Sequence, residues 1–254
     1  MILDCSTSQT ALESLAGIFQ VSEKELRTFF DTLPPAQLYD HRVPPLLPPE
    51  DKLWVAFQKK FPQKPHWTGV HWFHLTRVFP GTTFEEGIQP LGDRLHVLWD
   101  QLEPLALQHI TAANWQDFKR HLAPHHNHDL YNLKIKDRQH WGPYALLVRE
   151  VAFSPRTLGN HDYLATPEII EDICVCFHER FGMNLLPQYQ QHTQPCIVTF
   201  VGPADREDVL PTSLFYAYQS YHNEELTWHA NTCFDGEGHL IPATAIRNIM
   251  ILDP

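Results

Sequence analysis

The sequence predicts an α+β chain. Three observations carry that expectation. Residues 70–78 read as a strand, in which successive side chains take opposite faces with a two-residue period. Amphipathic helical patterns recur on both sides of that segment. Strands and helices follow one another without the strict alternation that a parallel sheet requires. With 254 residues and a hydrophobic share of 43%, the chain has material for a sizeable core.

From the N-terminus, residues 1–33 predict two short helices. The first, at 10–19, buries Leu12, Leu15, Ile18 and Phe19. The second opens on Ser22, with Glu25 three residues on, a reciprocal cap ahead of Leu26, Phe29 and Phe30. Proline pairs at 34–35, 44–45 and 48–49 make 33–51 a strap with neither helix nor strand. A short helix follows at 53–61. We therefore expect a helical N-terminal segment at 1–64 and a main domain at 65–254.

The main domain opens with the strand at 70–78, which puts Val70, Trp72, His74 and Thr76 on one face and His71, Phe73, Leu75 and Arg77 on the other. Pro80-Gly81 turns the chain, and Thr82 or Thr83 caps a short helix ending near Gly87. Residues 91–122 predict helix, and 125–129 a polar loop. Residues 144–153 predict a strand. Thr166 caps the next helix, with Pro167 in its first turn and Ile169, Ile170, Ile173, Val175 and Phe177 along it to Arg180. Residues 196–201 predict a strand, 213–221 either a helix or a strand, and 226–234 and 245–252 two strands around a hairpin-type Asp-Gly-Glu-Gly turn at 235–238.

Charge and composition narrow the function classes. Thirty acidic against 19 basic residues give a net charge of −11, which disfavours whole-molecule attraction to nucleic acid or an anionic membrane. No apolar run approaches the roughly 18 residues of a membrane helix, and no basic patch precedes an apolar stretch at the N-terminus, so a cytoplasmic location is expected. The odd set of cysteines, Cys5, Cys174, Cys176, Cys196 and Cys233, reads as reduced and mostly buried thiols. Neither a phosphate-cradling loop, a dinucleotide glycine fingerprint nor a nucleophile elbow occurs.

The segment VHWFHLTRVFPGTTFEEGIQPLG, residues 70–92, carries the chemistry. An imidazole and a hydroxyl two residues apart on one strand face can both hydrogen-bond a ribose or amide edge. This His-x-Thr-Arg string, followed by a turn and a Gly-Ile pair, resembles the first motif of the ADP-ribosyltransferase superfamily. The resemblance implies a split-sheet core with helical insertions. It also implies NAD as substrate, bound by His74, Thr76 and Arg77. Trp141-Gly142-Pro143-Tyr144 is similar to the family's Gly-x-Tyr strand, and Tyr144 and Tyr163 are the candidates to stack on nicotinamide. The C-terminal WHANTCFDGEGHLIPATAIRNIMIL resembles the family's closing strands. Where the family usually places a catalytic Glu, this chain offers His229, with Glu225 and Asn231 beside it on the expected strand face. A group there would orient the ribose and stabilise the positive charge that develops as nicotinamide leaves.

The implied activity is transfer of ADP-ribose to RNA, DNA or protein, as in bacterial toxin or anti-phage effectors, with an antitoxin or regulatory protein as an implied partner and no membrane role. Lys134, Lys136, Arg138 and Arg149, with Tyr131, His140 and Trp141, form the basic and aromatic track that a nucleic-acid acceptor would use. Two alternatives come from other classes. One is a metal-dependent hydrolase built on His121, His125, His126, His128 and Asp129, although Pro124 interrupts the helical spacing such ligands need. The other is a non-catalytic NAD- or nucleotide-binding module.

Overall fold

A computed structural model describes residues 1–40, 47–122 and 129–253. It mixes helix and sheet, 51% and 15% of the chain, so helices supply most of the packing surface. In chain order the elements are β1 (Ile2–Leu3), α1 (Ser8–Phe19), α2 (Glu23–Asp31), α3 (Pro35–Leu38), α4 (Pro49–Lys60), β2 (Gly69–Val78), α5 (Leu91–Ala106), α6 (Ala112–His121), α7 (Asp129–Lys136), β3 (Tyr144–Leu146), α8 (Pro155–Leu158), α9 (Glu168–Phe181), α10 (Leu186–His192), β4 (Gln194–Gly202), α11 (Val209–Tyr221), β5 (Cys233–Asp235) and β6 (Ile246–Ile251). The strand order is β5-β3-β2-β4-β6, with β1 parallel to β2 and β3 antiparallel to it. Among the described residues no helix is long and apolar enough to cross a membrane.

The chain divides into two compact units, and the division falls inside β2, β3, β4 and β5. The first comprises Met1–Phe73, Ala145–Asn160 and Thr199–Phe234; residues 1–64 lie within it. Its second helix starts as the sequence predicts, and α1 starts at Ser8, two residues before the expected position. Ser22 Oγ accepts from the Glu25 N–H at 3.2 Å while Glu25 Oε2 accepts from the Ser22 N–H at 2.8 Å, and Thr7 and Thr10 make the same reciprocal cap for α1. Helices α1, α2 and α4 pack on α11. Phe19 meets Phe57 edge-on at 4.8 Å, and Phe30 meets Tyr218 edge-on at 5.6 Å. Because α11 buries Leu210, Leu214, Phe215, Tyr216, Ala217 and Tyr218 on every side, it shows no helical stripe, which left helix and strand both open at 213–221.

The second unit comprises His74–Tyr144, His161–Val198 and Asp235–Pro254. Its core gathers Trp99, Trp115, Phe118, Tyr131, Ile173, Phe177 and Tyr189. The predicted helix at 91–122 is α5 and α6, with Thr111 capping the second through the Asn114 N–H. The residue that caps α9 is Pro167, one position after the expected Thr166.

Several expectations need correction. The strap contains helix: α3 begins on Pro35 and α4 on Pro49, since a proline at the first helical position removes an N–H that has no intrahelical partner anyway. Pro44 and Pro45 lie outside the described residues. No helix forms at 82–87; Thr82 bonds back to the Phe79 carbonyl through both its N–H and its hydroxyl, and Gly87 closes a turn on the Phe84 carbonyl. The strand expected at 144–153 stops at Leu146; the Leu147 N–H is shared between the Thr232 carbonyl, at 2.9 Å, and the Asn231 side-chain oxygen, at 3.1 Å, which also takes the Val148 N–H at 3.0 Å. A 3-10 turn at Arg149–Phe153 follows.

The strand expected at 226–234 is a 3-10 turn, Trp228–Ala230, before the three-residue β5. Gln219 captures the Thr227 N–H at 3.2 Å, and the Ala230 N–H closes on the Thr227 carbonyl at 2.9 Å. The Asp-Gly-Glu-Gly turn joins no hairpin either, since β5 and β6 end opposite sides of the strand order. Its Gly236 and Gly238 N–H groups instead bond the carbonyls of Pro143 and Gly142, at 3.0 and 2.7 Å.

Gly87 is the backbone position this layout depends on most locally. Its φ is +83°, and a Cβ there would strike the Ile241 carbonyl, whose oxygen accepts from the Ile88 N–H at 2.8 Å. Gly87→Ala should therefore lower stability by about 2 kcal/mol or more, the left-handed penalty plus a displaced bridge. A urea melt that leaves the midpoint unchanged would contradict this.

Candidate functional site

His74 and Thr76 lie on β2, two residues apart and both half-buried, with buried Leu75 between them on the other face. His74 Nδ1 lies 2.7 Å from the Tyr144 carbonyl oxygen. A carbonyl only accepts, so Nδ1 carries the proton and donates, which leaves Nε2 as an acceptor. Burial holds this imidazole below its ordinary range, although the bond to Tyr144 works in the other direction. The ring is therefore neutral near pH 7. The Thr76 hydroxyl makes only a long contact, 3.4 Å, to the Arg77 carbonyl. One face of β2 thus offers an acceptor and a hydroxyl able to donate or accept.

Arg77 serves the protein itself. Its Nε donates to Thr193 Oγ1 at 2.9 Å, Nη1 to the Leu164 carbonyl at 2.7 Å, and Nη2 to the carbonyls of Gln190 and Thr193, both at 2.8 Å. Four of the roughly five N–H groups of a guanidinium are thereby used. The sequence placed this side chain in the cofactor pocket; its geometry makes it a tie between β2, the Leu164 loop and the junction of α10 with β4.

Tyr144 and Tyr163, the two stacking candidates, share a carboxylate neighbour. Tyr163 donates its hydroxyl to Glu168 Oε1 at 3.0 Å. Tyr144 is exposed, donates its hydroxyl to the Gln139 carbonyl at 2.9 Å, and has its phenol pKa raised by burial and by the charges of Asp235, Glu168 and Asp137. Glu168 itself is bound by Lys134, whose Nζ lies 3.1 Å from Glu168 Oε2 and 2.8 Å from Asp172 Oδ2. Burial alone would raise the Glu168 pKa, but Lys134, Tyr163 and His161 hold it below the usual value, so the group is an ionised carboxylate. His161 completes this corner, 4.7 Å from the Tyr163 ring and edge-on to it.

Glu168 and Lys134 were missed as site residues. Glu168 stood in the sequence only as the residue after a Thr-Pro cap, and Lys134 only as part of a basic track. That track does not survive as drawn. Lys134 is paired with two carboxylates, Tyr131 is buried against Trp99, and Arg138 donates to the Gly238 carbonyl.

The C-terminal candidates fall in the first unit, and the structure gives each a different setting. Glu225 is exposed. Asn231 is occupied by the Leu147 and Val148 N–H groups. His229 meets a residue that sequence reasoning did not connect with it: Glu50, on the first turn of α4, places Oε1 2.5 Å from His229 Nδ1. No spacing rule links positions so far apart. The common strand face expected for Glu225, His229 and Asn231 is absent because 228–230 is a turn.

Of the histidine cluster, His125, His126 and His128 lie outside the described residues. His121 ends α6, its Nδ1 donating to the Asp117 carbonyl at 2.8 Å. Among the described residues no group of three or more His, Cys, Asp or Glu is placed to hold a metal ion. Cys5, Cys174, Cys176 and Cys196 form no disulfide among the described residues and are buried as expected, and burial pushes the Cys174 and Cys176 thiols up to about 12; Cys233 forms none either and is exposed. Comparison of the chain with family models, with curated proteins and with solved structures finds no match.

The Lys134 cluster is testable by stability. Lys134→Met leaves two partly buried carboxylates facing each other and should cost about 2 kcal/mol at neutral pH. Because the Glu168 pKa is lowered from 4.5, its contribution is complete above that pH and is lost as pH falls through the lowered value. The gap between wild type and variant should accordingly narrow in denaturant melts as pH falls through that lowered value and the Glu168 carboxylate is neutralised. A gap that stays constant with pH would refute the ionic account.

Proposed function

We propose that the second unit binds NAD along β2 and that the protein is an ADP-ribosyltransferase-like enzyme. The observation that carries this is the His74–Tyr144 bond: it fixes the neutral tautomer whose Nε2 accepts, beside a Thr76 hydroxyl that the protein scarcely uses. A ribose presents hydroxyl donors, and this pair is matched to them. Tyr144 offers an exposed ring for nicotinamide, and Tyr163 a second ring nearer Glu168. Arg77 takes no part in the pocket, since its donors hold the fold.

The chemistry asks for negative charge where the nicotinamide–ribose bond breaks. Glu168 supplies an ionised carboxylate in the same unit as His74, Tyr144 and Tyr163, and we assign it that role ahead of His229, Glu225 and Asn231. Nicotinamide would leave with the bonding pair, and an acceptor nucleophile on RNA, DNA or protein would take the ADP-ribose. The finer fold expectation, a split-sheet transferase core, belongs to the same proposal. So do the cytoplasmic setting, the toxin or defence role and a regulatory protein partner.

Incubation with labelled NAD and a mixture of cell protein, RNA and DNA tests this directly. We expect nicotinamide release and label in one of the three fractions. Thr76→Ala should weaken NAD binding about 10-fold, the worth of one hydrogen bond, and His74→Ala by more. Glu168→Gln should abolish turnover while NAD still raises Tm. Since the His74 pKa is lowered from 6.5, affinity should be flat above that pH and fall in acid, where protonation turns Nε2 from acceptor to donor. Stabilisation by NAD without turnover in wild type would replace the enzyme by a binding module. Neither stabilisation nor turnover would end the proposal.

A further inference from the structure

The first unit holds a second chemical arrangement, independent of the NAD proposal. His229 sits in the 3-10 turn Trp228–Ala230, with Glu50 Oε1 2.5 Å from its Nδ1. A carboxylate accepts, so Nδ1–H donates and the neutral ring turns the lone pair of Nε2 outward. Nε2 makes no hydrogen bond among the described residues, and the side chain keeps 23% of its surface open. The Trp228 ring lies over the imidazole, centroids 3.5 Å apart and tilted 30°. It covers the face of the ring but not its edge, and proton transfer runs through the edge. Trp228 is itself 67% exposed, which leaves an aromatic surface beside Nε2.

Glu50 has a further peculiarity. Its second oxygen, Oε2, is buried without a hydrogen-bond partner among the described residues. A buried acceptor left unmatched lowers stability, so the carboxylate is held there through the bond from His229 to Oε1.

We propose that Glu50 and His229 form an acid–base dyad in which His229 is the catalytic residue and Glu50 the positioning residue, and that its substrates are uncharged or cationic esters bearing a planar ring. The ring stacks on Trp228. The Glu50 carboxylate on His229 disfavours anions. Water gives a proton to Nε2 as its oxygen bonds to the ester carbonyl carbon. The carbon–oxygen bond to the leaving group then breaks, and the departing oxygen takes the proton back from Nε2. The products are a carboxylic acid and an alcohol or phenol, with no metal or redox partner needed.

The probe is p-nitrophenyl acetate, neutral and aromatic, with the full chain. We expect saturable, multiple-turnover release of nitrophenol. His229→Gln should bring the rate to the level of solvent and surface imidazoles, while His192→Gln, an exposed histidine outside the dyad, leaves it unchanged. Glu50→Gln should lower kcat about 10-fold or more with little change in KM, as expected of a group that acts through another. Trp228→Ala should do the reverse, raising KM. Where a variant fails to fold, ¹⁵N NMR of the wild-type histidine rings decides instead: His229 must carry its proton on Nδ1, with Nε2 unprotonated in the neutral form. Equal rates in wild type and His229→Gln, an Nε2–H tautomer, or a loss that follows any histidine substitution would overturn the dyad. None of these results bears on NAD binding by His74, so the two proposals fail separately.

Discussion

The Arg77 guanidinium holds the second unit's site together. Its four hydrogen bonds gather the end of β2, the loop at Leu164 and the passage from α10 into β4. The acceptors are neutral carbonyl and hydroxyl oxygens, so fixed dipoles stabilise the charge and no carboxylate in these four bonds competes for the donors. Burial lowers the Arg77 pKa, but a guanidinium stays charged in proteins, and the ties therefore persist across the pH range in which the fold exists. Leu164 directly follows Tyr163 and stands four residues before Glu168. One side chain thus fixes the strand that carries His74 and Thr76 against the loop that carries the tyrosine and leads to the carboxylate.

His74 and His229 each have their tautomer fixed by the acceptor on Nδ1, and the two acceptors suit them to different work. His74 is held by a carbonyl, a neutral acceptor that orients the ring without strongly favouring its cation, and burial works against the cation too. Such a ring is a stable acceptor for hydroxyl groups. His229 is held by a carboxylate, which orients the ring with Nδ1–H toward Glu50. The sequence alone does not distinguish these two histidines; the partner on Nδ1, carbonyl or carboxylate, does.

What could be read from the sequence was local. The cap at Ser22, the strand at β2 and the burial of four of the cysteines follow from neighbours within a few positions, where spacing determines geometry. His74 and Thr76 were legible as a pair for the same reason. Tyr144, Glu168 and Glu50 acquire their chemistry from partners distant in sequence, and no periodicity encodes such meetings. The Asp-Gly-Glu-Gly turn shows how a strong local signal misleads. Its residues do make a turn, but its N–H groups bond the Gly142 and Pro143 carbonyls, and the chain then runs by way of the Ile88–Ile241 bridge to a strand at the other side of the sheet order.

A side-chain amide stands beside each stretch where an expected strand gives way. After β3, Asn231 takes the Val148 N–H and shares the Leu147 N–H with the Thr232 carbonyl, and Gln219, fully buried on α11, takes the Thr227 N–H. An amide oxygen is chemically the same acceptor as a ladder carbonyl, so it can replace a neighbouring strand at a single position and release the backbone beyond it. For 227–231 that release has a functional consequence. A continuous strand would have lined up Glu225, His229 and Asn231 on one face. The Gln219 contact starts a turn instead, in which His229 meets Glu50 while Asn231 serves the backbone at Leu147 and Val148. The Gln219 bond thus precedes the turn in which His229 meets Glu50, a contact made between a turn and a helix and not along a strand face.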